Sequence, residues 1–376
     1  MPDELSWQSV LAWRVARQGL AERAAAADWM DVVRRICGLH AQVQSAAELT
    51  LWARVEGPPA AAVAEALWTE RTLVRTWVMR GTLHLLPADE LAMWVGAQGA
   101  LRPRYETASW RRAFGMSSDE AVAVLDAIGD ALDGAALTRD ELAAAVTERL
   151  GVARLGEAVR GSFGTMPKLA AFRGDVVFAQ PAGQKVRFTR PDRWLAPDWA
   201  PAPPREAMAA VVRRHLAAYG PASRETFARW FGIASAAQAG KLIAALGDEV
   251  AAVDVEGWAA WMLRDDVAVA GGSAPSGVVS LLPAFDQYVV AAPRDETPVL
   301  AARFKDRVYR RQGWLSPVLL LDGRILGVWS HERRSGTLRV AIEPFESVDD
   351  AVRAGAQCEA RRLAAYFGDE LELAWG

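Results

Sequence analysis

The sequence predicts an α+β fold, mainly helical, built as three tandem winged-helix units followed by a small C-terminal antiparallel β unit with a terminal helix. Three observations carry this prediction: helical periodicity that switches to β-rich segments three times, a Gly-rich break at residues 271–277, and a length of 376 residues, too great for one small core. The expected segments are residues 1–100, 101–193, 205–270 and 278–376. A Pro-rich linker is expected at 194–204, because the repeated prolines of stretch 190–206 can continue neither a helix nor a central strand.

In the first unit, helical periodicity over residues 32–39 continues through AAELTLWARV and PAAAVAEALW, then gives way to LVRTWVMR and TLHLL around Gly81. The second has helices at SSDEAVAVLDAIGDAL, TRDELAAAVTERLG and around MPKLAAFRG, then short strands DVVFAQ and KVRFTR. The third shows the order most clearly: REAMAAVVRRHLAAYG, SRETFARWFG and SAAQAGKLIAALG precede strands VAAVDV and WAAWML, which flank Glu256 and Gly257. Ser223 and Ser235 are expected N-caps, since a serine hydroxyl accepts an orphan backbone N–H, and only Ser235, with Gln238 three residues on, has the full capping-box pattern. Three short helices and a two-stranded wing place one helix against a duplex, so tandem copies point to nucleic-acid binding. Beyond Gly277 come VVSLLPAFDQYVVA, strands PVLLLDG, RILGVWSHE and TLRVAIEPF, and the helix SVDDAVRAGAQCEARRLAAYFG.

Apolar residues make up 52% of the chain and charged ones 24%, a balance that excludes wholesale disorder. No apolar run reaches the roughly 20 residues of a membrane span, and MPDELSWQSV lacks the features of a signal peptide. The expectation is therefore a cytoplasmic protein without a membrane partner, nucleoid-associated in view of its expected duplex. Cys37 and Cys358 stand at opposite ends, and His40, His84, His215 and His331 fall in no HxxxH or CxxC spacing, so no metal and no cofactor are expected. No GxGxxG, GxxxxGK[ST] or GxSxG motif occurs, which removes the common nucleotide and esterase chemistries. The absence of a heptad pattern favours a monomer.

Net charge is −3, which argues against a bulk positive field, yet arginines cluster at residues 102–112, 303–312 and 330–339. Surface charge runs are commonly only solvated faces. Arg80 and His84 flank a Gly-Thr turn expected in the first wing, and Arg333 and Arg334 lie in SHERRSGTLR, so these four are candidate DNA contacts. The acidic pairs Asp265-Asp266 and Asp349-Asp350 sit where capping explains them. Asp286 differs, because a carboxylate inside the apolar run SLLPAFDQYVV requires a cap role or a buried ion pair.

The segment HAQVQ places His40, Gln42 and Gln44 at alternate positions. An extended backbone would put all three on one face, whereas a helix would keep only His40 and Gln44 together. By itself a QxQ is weak, and two glutamines on a solvated loop is the plain reading. With its context, however, the chain resembles the winged-helix DNA glycosylases of the AlkZ and YcaQ type: HAQVQ is followed by LVRTWVMRGTLHLLPADE, LLPAFDQYVV and GVWSHERRSGTLRV. Gln44 aligns it with the AlkZ branch, because the YcaQ branch has an acid there. The resemblance implies hydrolysis of the N-glycosidic bond of cationic N7-alkylguanine, including interstrand crosslinks in double-stranded DNA, with Gln42 and Gln44 catalytic and His40 a neighbouring ligand to DNA or to the amides. It further implies a concave surface rather than a deep base-flipping pocket. The alternatives are a non-catalytic winged-helix regulator, and a protein that sequesters an alkylating compound on its sixteen tryptophans, which the helical and strand patterns assign instead to the core.

Overall fold

Serine, threonine and aspartate start many of the helices in the computed structural model, which describes residues 3–57, 61–161, 165–294 and 297–376. The chain divides into two compact units, one made of Met1–Ala60 with Val212–Gly376 and the other of Ala61–Val211. The first division falls inside the expected segment 1–100, and the second inside the helix Pro204–Tyr219. The class is α+β with more helix than strand, as expected.

In the unit Ala61–Val211, strands Leu73–Trp77 and Leu83–Pro87 form an antiparallel hairpin whose connection holds Arg80 at φ 58° and Gly81 at φ 72°. Helices Ser118–Ala131, Arg139–Leu150 and Thr165–Arg173 then precede the hairpin Val177–Ala182 with Lys185–Thr189, as the periodicity predicts. Ser117 and Thr138 make complete capping boxes, each exchanging bonds with a glutamate three residues on. At Ser235 only half the expected box forms: its side chain accepts from the Gln238 N–H at 3.3 Å without the reciprocal bond. A neutral amide is a weaker acceptor than the glutamate carboxylate, which also gains from the helix dipole.

Residues 195–203 carry no helix or strand and are pinned by the Ala202 N–H, which donates to the Ala92 carbonyl at 2.9 Å. They lie so close to the helix Leu91–Gly99 that a Cβ on Gly96 would stand 2.3 Å from the Ala202 oxygen. Gly96→Ala is therefore expected to destabilise the protein by about 1–3 kcal/mol through overpacking, read as a lower urea midpoint. An unchanged midpoint would show that the segment gives way.

Beyond the helix Pro204–Tyr219, which crosses the division, helices Arg224–Phe231 and Ala236–Ala244 of the other unit lead to the hairpin Val250–Val255 with Trp258–Leu263. This hairpin has a third strand beside it, Asp3–Leu5, parallel to Val250–Val255 and contributed by the start of the chain. The C-terminal sheet has five strands in the order Val279–Leu282, Val318–Leu321, Arg324–Arg334, Thr337–Pro344, Glu370–Trp375. It is mixed, not antiparallel: the unforeseen last strand pairs parallel to Thr337–Pro344 after the terminal helix Asp350–Phe367. A parallel neighbour needs a crossover, and that helix supplies it. Its Gly355 sits where a Cβ would meet the Val279 side chain at 2.7 Å, so helix and sheet approach closely over a core of Leu281, Leu320, Val340 and Leu363.

Candidate active site

The HAQVQ segment is a strand-to-helix turn, so neither simple geometry expected from its alternation holds. The helix Trp29–Arg35 ends early, Cys37 at φ 61° and Gly38 at φ 86° redirect the backbone, and Leu39–His40 is a two-residue strand. Gln42 lies in the bend, Val43 takes the N-cap position with an extended backbone, and Gln44 begins the helix Gln44–Trp52. His40 is buried, Gln42 exposed and Gln44 half-buried. Local pattern missed the turn because left-handed residues at 37 and 38 reset the register between two periodic runs.

A carboxylate that sequence reasoning did not single out meets this motif. The Gln44 Nε2 donates to Glu48 Oε1 at 3.4 Å, one helical turn along. A carboxylate only accepts, so this bond engages the amide's NH2 pole and leaves its carbonyl oxygen for another donor or charge. Burial, and then the Glu48 charge, hold the Tyr366 phenol above its ordinary pKa.

Three consecutive residues of LLPAFDQYVV brace the turn. Phe285 holds φ 59°, a conformation strained for a bulky side chain, and its ring stacks on His40 with centroids 5.0 Å apart and planes 7° apart. Asp286, fully buried, accepts from Arg54 Nη1 at 2.7 Å and Nη2 at 2.8 Å, and also caps the helix Gln287–Ala291 through the Tyr288 N–H at 2.8 Å. Both roles required by its apolar surroundings are filled at once. The Gln287 Nε2 donates to the Gly38 carbonyl at 2.7 Å. Arg54 was not foreseen, although an acid inside an apolar run signalled either a cap role or a buried ion pair.

The candidate DNA contacts divide by exposure. His84 is fully buried in its strand, with Nδ1 3.0 Å from the Thr82 carbonyl oxygen, so it is not presented to a phosphate. His40 is likewise buried, 5% exposed, with its ring held against Phe285. Neither the alternation that suggested His40 nor the turn-flanking position that suggested His84 distinguishes a core face from a polar one. Arg80 is half-buried at its turn. Arg333 is exposed but engaged by Asp369 at 2.5 Å and lies over the Phe367 ring; the Asp369 bond raises its pKa. Arg334 ends the eleven-residue strand Arg324–Arg334 at the exposed hairpin tip, where Ser335 and Gly336 both have positive φ, as a tight two-residue turn requires.

The sequence model of the AlkZ-like DNA glycosylases matches residues 33–366, a span that includes the braced turn and the long hairpin. The chain belongs to the AlkZ-like DNA glycosylase family and is accordingly a DNA glycosylase, an enzyme that hydrolyses N-glycosyl bonds. It is 37% identical over 370 residues to a Streptomyces sahachiroi protein described as an interstrand DNA cross-link repair glycosylase, covering 96% of this chain and 97% of that one. The solved structure of the Streptomyces sahachiroi DNA glycosylase AlkZ superposes with a TM-score of 0.88 at 33% identity, over 99% of this chain and all of the other. Membership closes the purely regulatory reading. Among the described residues, no helix is long and apolar enough to cross a membrane.

Proposed function

We propose that this glycosylase releases guanine alkylated at N7, acts as a monomer, and unhooks interstrand crosslinks, in keeping with a Streptomyces relative described as an interstrand DNA cross-link repair glycosylase. The observation that carries the reading is chemical. The accessible groups of the braced motif are the carboxamides of Gln42 and Gln44, which have no useful basicity and cannot protonate a departing base. Such a site suits a bond that damage has already weakened, as in N7-alkylguanine, whose cationic ring departs as a neutral base. The two amides then hold a water on the far face of the sugar and direct carbonyl dipoles at the positive charge developing on the deoxyribose. Glu48 supports this by engaging the Gln44 NH2 pole. The three helix-then-hairpin successions serve as winged helices against the duplex, and exposed Arg334 is the hairpin-tip contact we favour.

The direct test incubates the protein with duplexes carrying one 7-methylguanine or one N7-linked interstrand crosslink and measures abasic sites. Release above the spontaneous rate is expected from both; none from either would overturn the reading. Binding to the duplex should weaken about tenfold or more as salt rises from about 50 to 200 mM, as counterion release requires. An affinity indifferent to salt would remove phosphate contacts from the proposal.

A further inference from the structure

A cleft of about 680 Å3 adjoins the first turn of the helix Gln44–Trp52, within the size range of small-molecule sites and far larger than a methyl group needs. Val43, Ser45 and Ala46, the immediate neighbours of the two glutamines, contribute to its lining together with Trp314 and Arg310. Trp314 is 44% exposed and is the most exposed tryptophan among the described residues. It is not loosely held. Gln312 at φ 60° and Gly313 at φ 77° turn the chain ahead of it, the Arg310 N–H donates to its carbonyl at 2.9 Å, and its ring meets Phe285 edge-on at 4.9 Å. Through Phe285, a run of rings links His40, the first residue of the motif, to an indole left open to solvent. Leaving that apolar area in water costs free energy that a stacked partner would recover.

The cleft's charges are balanced. Arg307 pairs with Glu343 at 2.8 Å, Asp306 adds a second acid, and Arg310 makes no side-chain hydrogen bond or ion pair among the described residues. Two acids beside two arginines give no field for a phosphate backbone, whereas one available guanidinium suits acceptor oxygens on a neutral group. We propose that the cleft receives the substituent carried on N7 of the damaged guanine: a flat aromatic arm bearing carbonyl or ether oxygens, stacked on Trp314 and hydrogen-bonded by Arg310. This rests on the N7-alkylguanine reading above. A single ring carbon separates N7 from the glycosidic nitrogen, so such an arm begins beside the bond being broken and needs room next to Gln44.

Single-turnover release from a 7-methylguanine duplex and from a duplex carrying the N7-guanine adduct of aflatoxin epoxide tests this. Trp314→Ala should leave methylguanine release within about twofold and lower adduct release roughly tenfold or more, the scale of lost aromatic stacking. Trp314→Phe keeps a ring against Phe285 and should restore most of the adduct activity, which a folding defect would not explain; Arg310→Ala should lower adduct release alone. Equal losses on both duplexes, no loss on either, or wild-type protein that releases methylguanine but not the adduct would each overturn the cleft assignment. If wild-type protein releases neither, the N7 reading itself falls, which distinguishes the two failures.

Discussion

Replacing Gln42 and Gln44 together by alanine is expected to lower single-turnover release of 7-methylguanine by about 10²–10³-fold or more, the usual cost of removing preorganised transition-state dipoles. Duplex affinity should change little. Gln42 is exposed and Gln44 half-buried, so neither truncation opens a core cavity, and the brace provided by Phe285, Asp286 and Gln287 remains intact. The effect should therefore appear in the rate of bond cleavage and not in folding or binding. Of the single changes, Gln44→Ala also removes the donor to Glu48 and is expected to be at least as damaging as Gln42→Ala. Unchanged release by the double variant would remove the pair from the mechanism.

The second large effect is expected at the buried ion pair. Arg54→Met leaves the Asp286 carboxylate without its two charge-assisted bonds in a place with no access to water, at a cost of about 3–5 kcal/mol. That is a large share of a typical total stability of about 5–15 kcal/mol. Asp286→Asn keeps an oxygen for the Tyr288 N–H but loses the charge that pairs Arg54, and should cost a comparable amount. Combining the two substitutions removes the unpaired charge and should recover part of the loss, so the cycle gives a favourable coupling energy. Urea unfolding provides the measurement. Single variants costing under about 1 kcal/mol would show a pair weaker than its geometry implies. Since Asp286 lies between the residues that hold His40 and Gly38, the folded fraction of either single variant should also release base more slowly.

Much of the local structure was legible in the residues. Ser223 and Ser235 cap the helices they were expected to cap, the hairpins at 73–87 and 177–189 follow β-rich runs around turns, and Asp349 caps the terminal helix. These features depend on neighbours a few positions apart, where propensity and capping act. The acid at position 286 even announced a missing partner, because an ionised carboxylate cannot remain alone among apolar side chains. The HAQVQ motif, in its context, indicated the family.

Other features depended on contacts between distant parts of the chain. Asp286 finds Arg54 across 232 positions, Asp3–Leu5 joins a sheet strand that begins at Val250, and Glu370–Trp375 pairs parallel with Thr337–Pro344. His40 and His84 have the chemistry of DNA ligands yet are buried, and Phe285 takes a left-handed conformation that no propensity favours. The residues alone thus determined the elements, their order and the uncharged chemistry of the motif, since each follows from short-range backbone preference and functional-group identity. Which side chains reach solvent, which are braced and which cleft stands beside Gln44 were decided by tertiary structure, because burial is a property of packing among segments remote in sequence and no local pattern encodes it.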